Sequence, residues 1–310
     1  GVVTTTLVLL AIELTARLLI APQDVVINEA HTFYRDDPLL FWSMPPHLDV
    51  LSEDRVPYRS NSLGLRDTEP KDPKPRMEYR ILSLGESTTW GQGVRAHETY
   101  SEVLQKKLSS AGEGRTYEVI NAGVGAYSIF QSYLYLTHRG HELKPDMVML
   151  YHERNDFLPA GVWDRKNFFF DVAWEDRERY EQRRPYLWLL SALYKSRLYL
   201  WARNRSVESR YEPTKDPFRY SSAKVLFRVN EFDRRRALDG IRLACAEQGV
   251  TLVIIHPLYA LWPKHRKNCL LERYAEEHRL PFIDLPSLVD DSKSDAPFWL
   301  DGSHPSAVGH

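Results

Sequence analysis

Five short apolar runs, alternating with stretches of helical spacing, constrain this chain more than any other feature. Residues 79–84, 117–120, Met147–Tyr151, 251–255 and Phe282–Asp284 read as strands. Helical stretches lie between them. Residues 98–111 carry Val103, Leu104 and Leu108 at helical spacing, and 127–142 end at Lys144-Pro145. Residues 227–248 are capped by Gly249, and 264–279 precede the last run. Strands that are apolar throughout, not alternately, are buried on both faces. Interleaved with helices, they predict an α/β class with a parallel sheet covered on both sides. Such sheets take ligands beyond their C-terminal strand ends, so the residues just after each run are the functional candidates.

Ser87 is one of them. It stands in Leu84-Gly85-Glu86-Ser87-Thr88-Thr89-Trp90-Gly91, a small-residue turn between the first run and a helix. Backbone N–H groups at such a turn favour developing negative charge. Near the other end, Trp299-Leu300-Asp301-Gly302-Ser303-His304-Pro305 sets an Asp three residues before a His. A serine hydroxyl is a poor nucleophile at neutral pH and needs a base with an oriented partner behind it. His304 can be that base, and Asp301 can fix its tautomer; serine first, then Asp and His, is one chain order that builds a triad. Singly, each residue has an ordinary structural reading. Ser87 can cap a helix, Gly123 can form a turn, Asn155 can hold a loop, and Asp301 and His304 can be a cap and a surface histidine. The ordered set favours chemistry.

Four blocks in order resemble the GDSL-type, or SGNH, family of serine esterases and acyltransferases. LGESTTWGQG resembles the nucleophile block, with Ser87 in the nucleophile position. INAGVGAYS resembles the second, with Gly123 at the position whose N–H helps bind the oxyanion. ERND resembles the third, with Asn155 as the side-chain oxyanion donor. DGSHP resembles the last, with Asp301 and His304. The blocks run from about Ile81 to the C-terminus, and NSLGLRD (61–67) resembles the family's membrane-tethered members. Two positions depart from the pattern: Glu86 stands where the family has Asp, and Glu153 where it has Gly. The resemblance implies a flavodoxin-like three-layer sandwich with a mainly parallel five-stranded sheet, and a helical segment inserted into it. It also implies a triad of Ser87, His304 and Asp301, an oxyanion hole of Ser87, Gly123 and Asn155, and no cofactor. The implied partner is a small-molecule or glycan ester. Three functions stay open: ester hydrolysis, acyl transfer to a cell-surface polysaccharide, and a silent binding module.

Other residues near the strand ends are weighed beside these. His256 follows the fourth run and is a competing base, although no carboxylate adjoins it in sequence. Asp284 is structural or supports the site. Glu153 and Arg154 pair with each other or with a substrate charge. His97, His138, His141, His265 and His278 show no metal-ligand spacing. Cys245 and Cys269 fit no zinc pattern and read as ordinary thiols, or as a disulfide in an oxidising compartment.

The expected organisation is a helix over 1–22, an N-terminal elaboration over 23–78 and the sheet domain over 79–310, with the insertion at about 157–224. Residues 2–20 are nearly as long as a membrane span. Glu13 and Arg17 oppose that reading, yet four apart on a helix they can pair. A tethering helix with the sheet domain outside the cytoplasm is expected; the alternative is an amphipathic helix packed on the protein. No cleavage pattern of small residues is clear near Ala21-Pro22. The insertion is rich in arginine and aromatics, including Phe168-Phe169-Phe170, Trp174, Trp188 and Trp201, and 187–201 has helical amphipathicity. It reads as a lid, a helical subdomain or a membrane-contacting wall. Residues 164–236 hold 18 Lys/Arg against 11 Asp/Glu, while the whole chain is −1, so charge is uneven without naming a partner. Nucleic acid is not expected.

Overall fold

The computed structural model describes residues 2–20, 33–52, 54–111, 114–157, 176–209, 227–259, 269–289, 298–301 and 304–310. In chain order the helices and strands are α1 (Val2–Leu19), β1 (Arg35–Asp37), β2 (Phe41–Ser43), β3 (Asp49–Leu51), β4 (Pro57–Arg59), β5 (Glu78–Gly85), α2 (Ser87–Trp90), α3 (Tyr100–Ser110), β6 (Thr116–Asn121), α4 (Ile129–His138), β7 (Met147–Tyr151), α5 (Asp176–Arg183), α6 (Leu187–Leu193), α7 (Arg197–Ser209), α8 (Glu231–Glu247), β8 (Thr251–His256), α9 (Leu270–His278), β9 (Phe282–Asp284) and α10 (Leu285–Leu288). Two compact units form: residues 1–43 with 159–226, and residues 44–158 with 227–310. Residues 44–78 thus group with the sheet, and the inserted helices group with the N-terminal helix.

The second unit holds a five-stranded parallel sheet in the order β6-β5-β7-β8-β9. The registers Gly85↔Tyr151, Tyr151↔Ile255 and His256↔Asp284 bring the strand ends to one edge. From β5 the chain steps one way to β6 and then back past β5 to β7. Right-handed crossovers in opposite directions put α3 and α4 on opposite faces. On one face Ile81, Val119, Met149, Tyr151, Val253 and Ile255 form a core against Leu104 and Leu108 of α3. On the other, Leu82, Leu84, Val148, Leu150 and Ile254 are fully buried, and α4 packs on α8. This is the parallel sheet covered on both sides expected from the apolar runs, and the α/β three-layer sandwich with a five-stranded sheet that the family resemblance implied.

Several boundaries differ from expectation for local reasons. Helix α4 starts at Ile129, because Ser128 accepts from the Gln131 N–H and the Gln131 side chain returns to the Ser128 N–H. Asn230 caps α8 in the same manner by accepting from Asp233 N, so that helix begins at Glu231. Of the helix expected over 264–279, residues 264–268 lie outside the described residues, and α9 begins after Cys269, whose sulfur accepts from Glu272 N. Both cysteines are buried and free.

In the first unit, the stretch expected as one helix over 187–201 is two, α6 and α7, broken at Tyr194–Ser196. Phe168, Phe169, Phe170 and Trp174 lie outside the described residues. The break has a partner. Glu13 Oε2 accepts from Ser196 Oγ at 2.7 Å, and Glu13 Oε1 accepts from the Arg197 N–H at 2.9 Å and from Arg17 Nε at 2.8 Å. Arg17 in turn donates to the Lys195 carbonyl. Leu7, Leu9, Leu14, Leu18 and Leu19 of α1 are exposed. Among the described residues no helix is long and apolar enough to cross a membrane.

Candidate active site

Ser87 is the first residue of α2, which follows β5 after a single residue, Glu86. So abrupt a reversal needs glycines beneath it. A Cβ on Gly85 would lie 1.9 Å from Thr89 Oγ1 and 2.9 Å from the Tyr151 carbonyl. A Cβ on Gly123, just past β6, would lie 2.4 Å from the Trp90 nitrogen. Any side chain at either position would push the serine turn off the sheet edge.

The C-terminal residues close over this turn. Leu300 N–H donates to the His304 carbonyl and Ser306 N–H to the Phe298 carbonyl, both at 2.8 Å. This narrow ladder presents Asp301 and His304 on the same side. Asp301 accepts from the His304 backbone N–H at 2.9 Å and from the ring Nδ1 at 2.7 Å. With its Nδ1 proton held there, the ring turns its Nε2 lone pair to Ser87 Oγ, 2.9 Å away. Ser87, His304 and Asp301, 217 residues apart at the extremes, thus form one hydrogen-bonded chain.

The expected oxyanion donors lie around the same turn, already engaged. The Gly123 N–H donates to Asn121 Oδ1 at 3.0 Å, and Asn155 Nδ2 donates to the Tyr127 carbonyl at 3.2 Å. An amide nitrogen carries two protons, so Asn155 keeps a second donor; Gly123 has one and must leave Asn121 to serve. Ser87 N–H, at the first turn of α2, has no acceptor within its own helix.

Residues that the strand-end argument did not single out hold this arrangement. Glu86 is buried; its carboxylate accepts from the Tyr259 hydroxyl and from the Asn155 N–H at 3.3 Å. Burial pushes its pKa up to about 7, and nearby Asp156 adds to this against those hydrogen bonds. Asp156 is fully buried too. It accepts from Ile129 N at 2.8 Å and Arg234 Nε at 3.1 Å, tying Asn155's neighbour to α4 and α8. Arg66, in the NSLGLRD segment, donates to the carbonyls of Trp90, Gly91 and Val94 and lies over the Tyr58 ring. Asp67 accepts from Asn121 N at 2.7 Å. Desolvation raises its pKa to about 6. In the sequence Glu86 and Asp156 showed only as neighbours of Ser87 and Asn155, Arg66 and Asp67 only as part of the NSLGLRD segment, and Tyr259 gave no signal.

The remaining candidates go elsewhere. His256 is no competing base for Ser87, because both its ring nitrogens face carboxylates that other segments bring in. Nδ1 lies 2.7 Å from Asp284 Oδ1 and Nε2 lies 3.4 Å from Glu153 Oε2. Burial opposes charge on this ring, but the two carboxylates outweigh it and leave its pKa raised. Glu153 therefore turns to His256 rather than to Arg154. Arg154 donates its backbone N–H to Tyr259 Oη at 3.4 Å and is half-buried.

No family model matches the chain. No curated protein matches it either. Among solved structures it is similar to TesA, with 13% identity over 74% of this chain and 91% of that one, at a TM-score of 0.43. It is similar to a lipase/acylhydrolase from Enterococcus faecalis, with 17% identity over 74% and 89% of the two chains and a TM-score of 0.43. A catalytic mutant of an acetylxylan esterase from Geobacillus stearothermophilus gives 14% identity over 75% and 89%, again at 0.43. At these scores the α/β fold stands on the strand order and register given above, not on the likeness.

Proposed function

We propose that this protein is a serine-dependent ester hydrolase of the GDSL, or SGNH, kind, working through an acyl-enzyme. The observation that carries the reading is the unbroken chain Ser87 Oγ, His304, Asp301 at 2.9 and 2.7 Å. His304 Nε2 takes the hydroxyl proton as Ser87 Oγ attacks the ester carbonyl. Asp301 stabilises the imidazolium that results. The oxyanion meets the Ser87 N–H and the second Asn155 amide proton, and the Gly123 N–H joins them on leaving Asn121. His304 then gives its proton to the departing alcohol. Water, activated by the same imidazole, attacks the acyl-serine and releases the acid. No cofactor enters this scheme.

The test is labelling by a fluorophosphonate together with turnover of p-nitrophenyl esters. Ser87→Ala is expected to abolish both. Wild-type labelling of that variant would overturn the assignment.

Placement at a membrane, through α1, belongs to the same proposal, with the sheet outside the cytoplasm. What supports it is a helix with exposed leucines whose two charged residues pair with each other and with the α6–α7 break. Pairing lowers the cost of bringing such charges near lipid.

A further inference from the structure

Glu153, His256 and Asp284 make a carboxylate–imidazole–carboxylate chain, apart from the Ser87–His304–Asp301 chain. Glu153 lies just after β7, His256 ends β8 and Asp284 ends β9, three neighbours in the sheet. His256 and Asp284 are partners in register. The ring also stacks on Phe282, with centroids 6.3 Å apart. Glu153 and His256 are 3% and 6% exposed. Burying a carboxylate and an imidazole together is costly unless both are satisfied, and replacing such groups by apolar ones is often neutral for stability. Fold stability alone is therefore a weak reason for this chain of groups.

What it grips is the segment 153–156, which carries Asn155. Each residue there is held by a different partner. Glu153 is held by His256, the Arg154 N–H by Tyr259, the Asn155 N–H by Glu86, and Asp156 by Ile129 and Arg234. An oxyanion donor works only if its direction is fixed before charge develops, to within a fraction of an ångström. A glycine at 153, as the resembled block has, offers no side chain to tie; glutamate does.

We propose that the Asp284–His256–Glu153 chain is a positioning device for Asn155, acting through the 153–155 backbone to aim its amide at the forming oxyanion. The inference rests on the esterase reading of Ser87. None of the three touches the reacting atoms, so they are positioning residues. Their effect lies on kcat, because the oxyanion exists only in the transition state.

The experiment is a double-mutant cycle on p-nitrophenyl acetate hydrolysis by the full chain. Glu153→Ala is expected to lower kcat about tenfold with KM changed by less than about twofold. Glu153→Gln, which keeps the side chain's length and an oxygen facing His256 Nε2, is expected to keep at least about half of the wild-type kcat. Combined with Asn155→Ala, Glu153→Ala is expected to cost nothing further, since its effect passes through the amide already removed. Losses that multiply in the double variant, or a Gln variant as slow as the Ala variant, would overturn the proposal. If Glu153→Ala does not fold, His256→Asn takes its place in the cycle with the same expectations. Ser87→Ala in the same assay separates the two claims. If it is inactive while the cycle is additive, only the positioning role fails; if it is active, the esterase reading fails.

Discussion

Glu86 precedes the serine and is the buried acid on which the asparagine segment leans. Its carboxyl has an ordinary value of 4.5 and is raised to about 7 in the fold. The folded state therefore holds this proton more tightly than the unfolded chain. The resulting stabilisation is complete below about pH 4.5 and is lost as pH rises through about 7, a swing of the order of 3 kcal/mol. Glu86→Gln keeps acceptor and shape but has no proton to lose. Its melting temperature, followed by circular dichroism from about pH 5 to about pH 8, is expected to fall less than that of the wild type. Equal slopes would show that Glu86 does not titrate in this window. Asp301 gives a second test at this scale. Asp301→Asn cannot hold the Nδ1 proton in the same manner, and kcat is expected to drop by about 10²–10⁴. A kcat within a few-fold of wild type would show that Asp301 does not orient the base.

At the scale of elements, α2 is four residues long, too short to stand by its own hydrogen bonds. It is held at one end by β5 and at the other by Arg66, whose guanidinium spans the Trp90, Gly91 and Val94 carbonyls. Lysine has neither the planar fork nor the stacking on Tyr58 and Trp90 that this position uses. Arg66→Lys is therefore expected to cost about 1.5–3 kcal/mol in a urea unfolding titration and to lower kcat at the same time. Loss of stability with unchanged turnover would separate the clamp from the serine turn.

At the scale of the whole molecule, the five-stranded sheet and the hydrogen-bonded chain Ser87–His304–Asp301 lie within the unit of residues 44–158 and 227–310. Helix α1 belongs to the other unit. A chain beginning near Asp24 is expected to hydrolyse p-nitrophenyl esters with a kcat within about twofold of the longer chain. The longer chain is expected to pellet with membranes and to resist a high-salt wash, and the shorter one to stay in the supernatant. A longer chain recovered soluble from the cytoplasm would overturn both tether and location.

The five runs, read by themselves, were enough to place the strands, because β5, β7 and β8 are buried along nearly their whole length and such burial writes itself into consecutive residues. Ser87 after a strand and Asp301 three residues before His304 were local patterns, joined in the sequence only by the order of the four blocks; the hydrogen bonds that link them are tertiary. Partner choice was not local. That His256 turns to Asp284 and Glu153 follows from β9 lying beside β8 in register and β7 on its other side. That the Gly123 N–H is held by Asn121, and that Glu86 meets Tyr259, likewise depends on which strand ends and loops come together. The break between α6 and α7 was hidden as well, since the apolar period runs through it while Ser196 and Arg197 answer to Glu13, more than 180 residues away. Sequence alone determined which residues stand at the sheet edge. Only the tertiary structure decided which of them face one another, because hydrogen-bond partners are set by distances in space that short-range patterns do not encode.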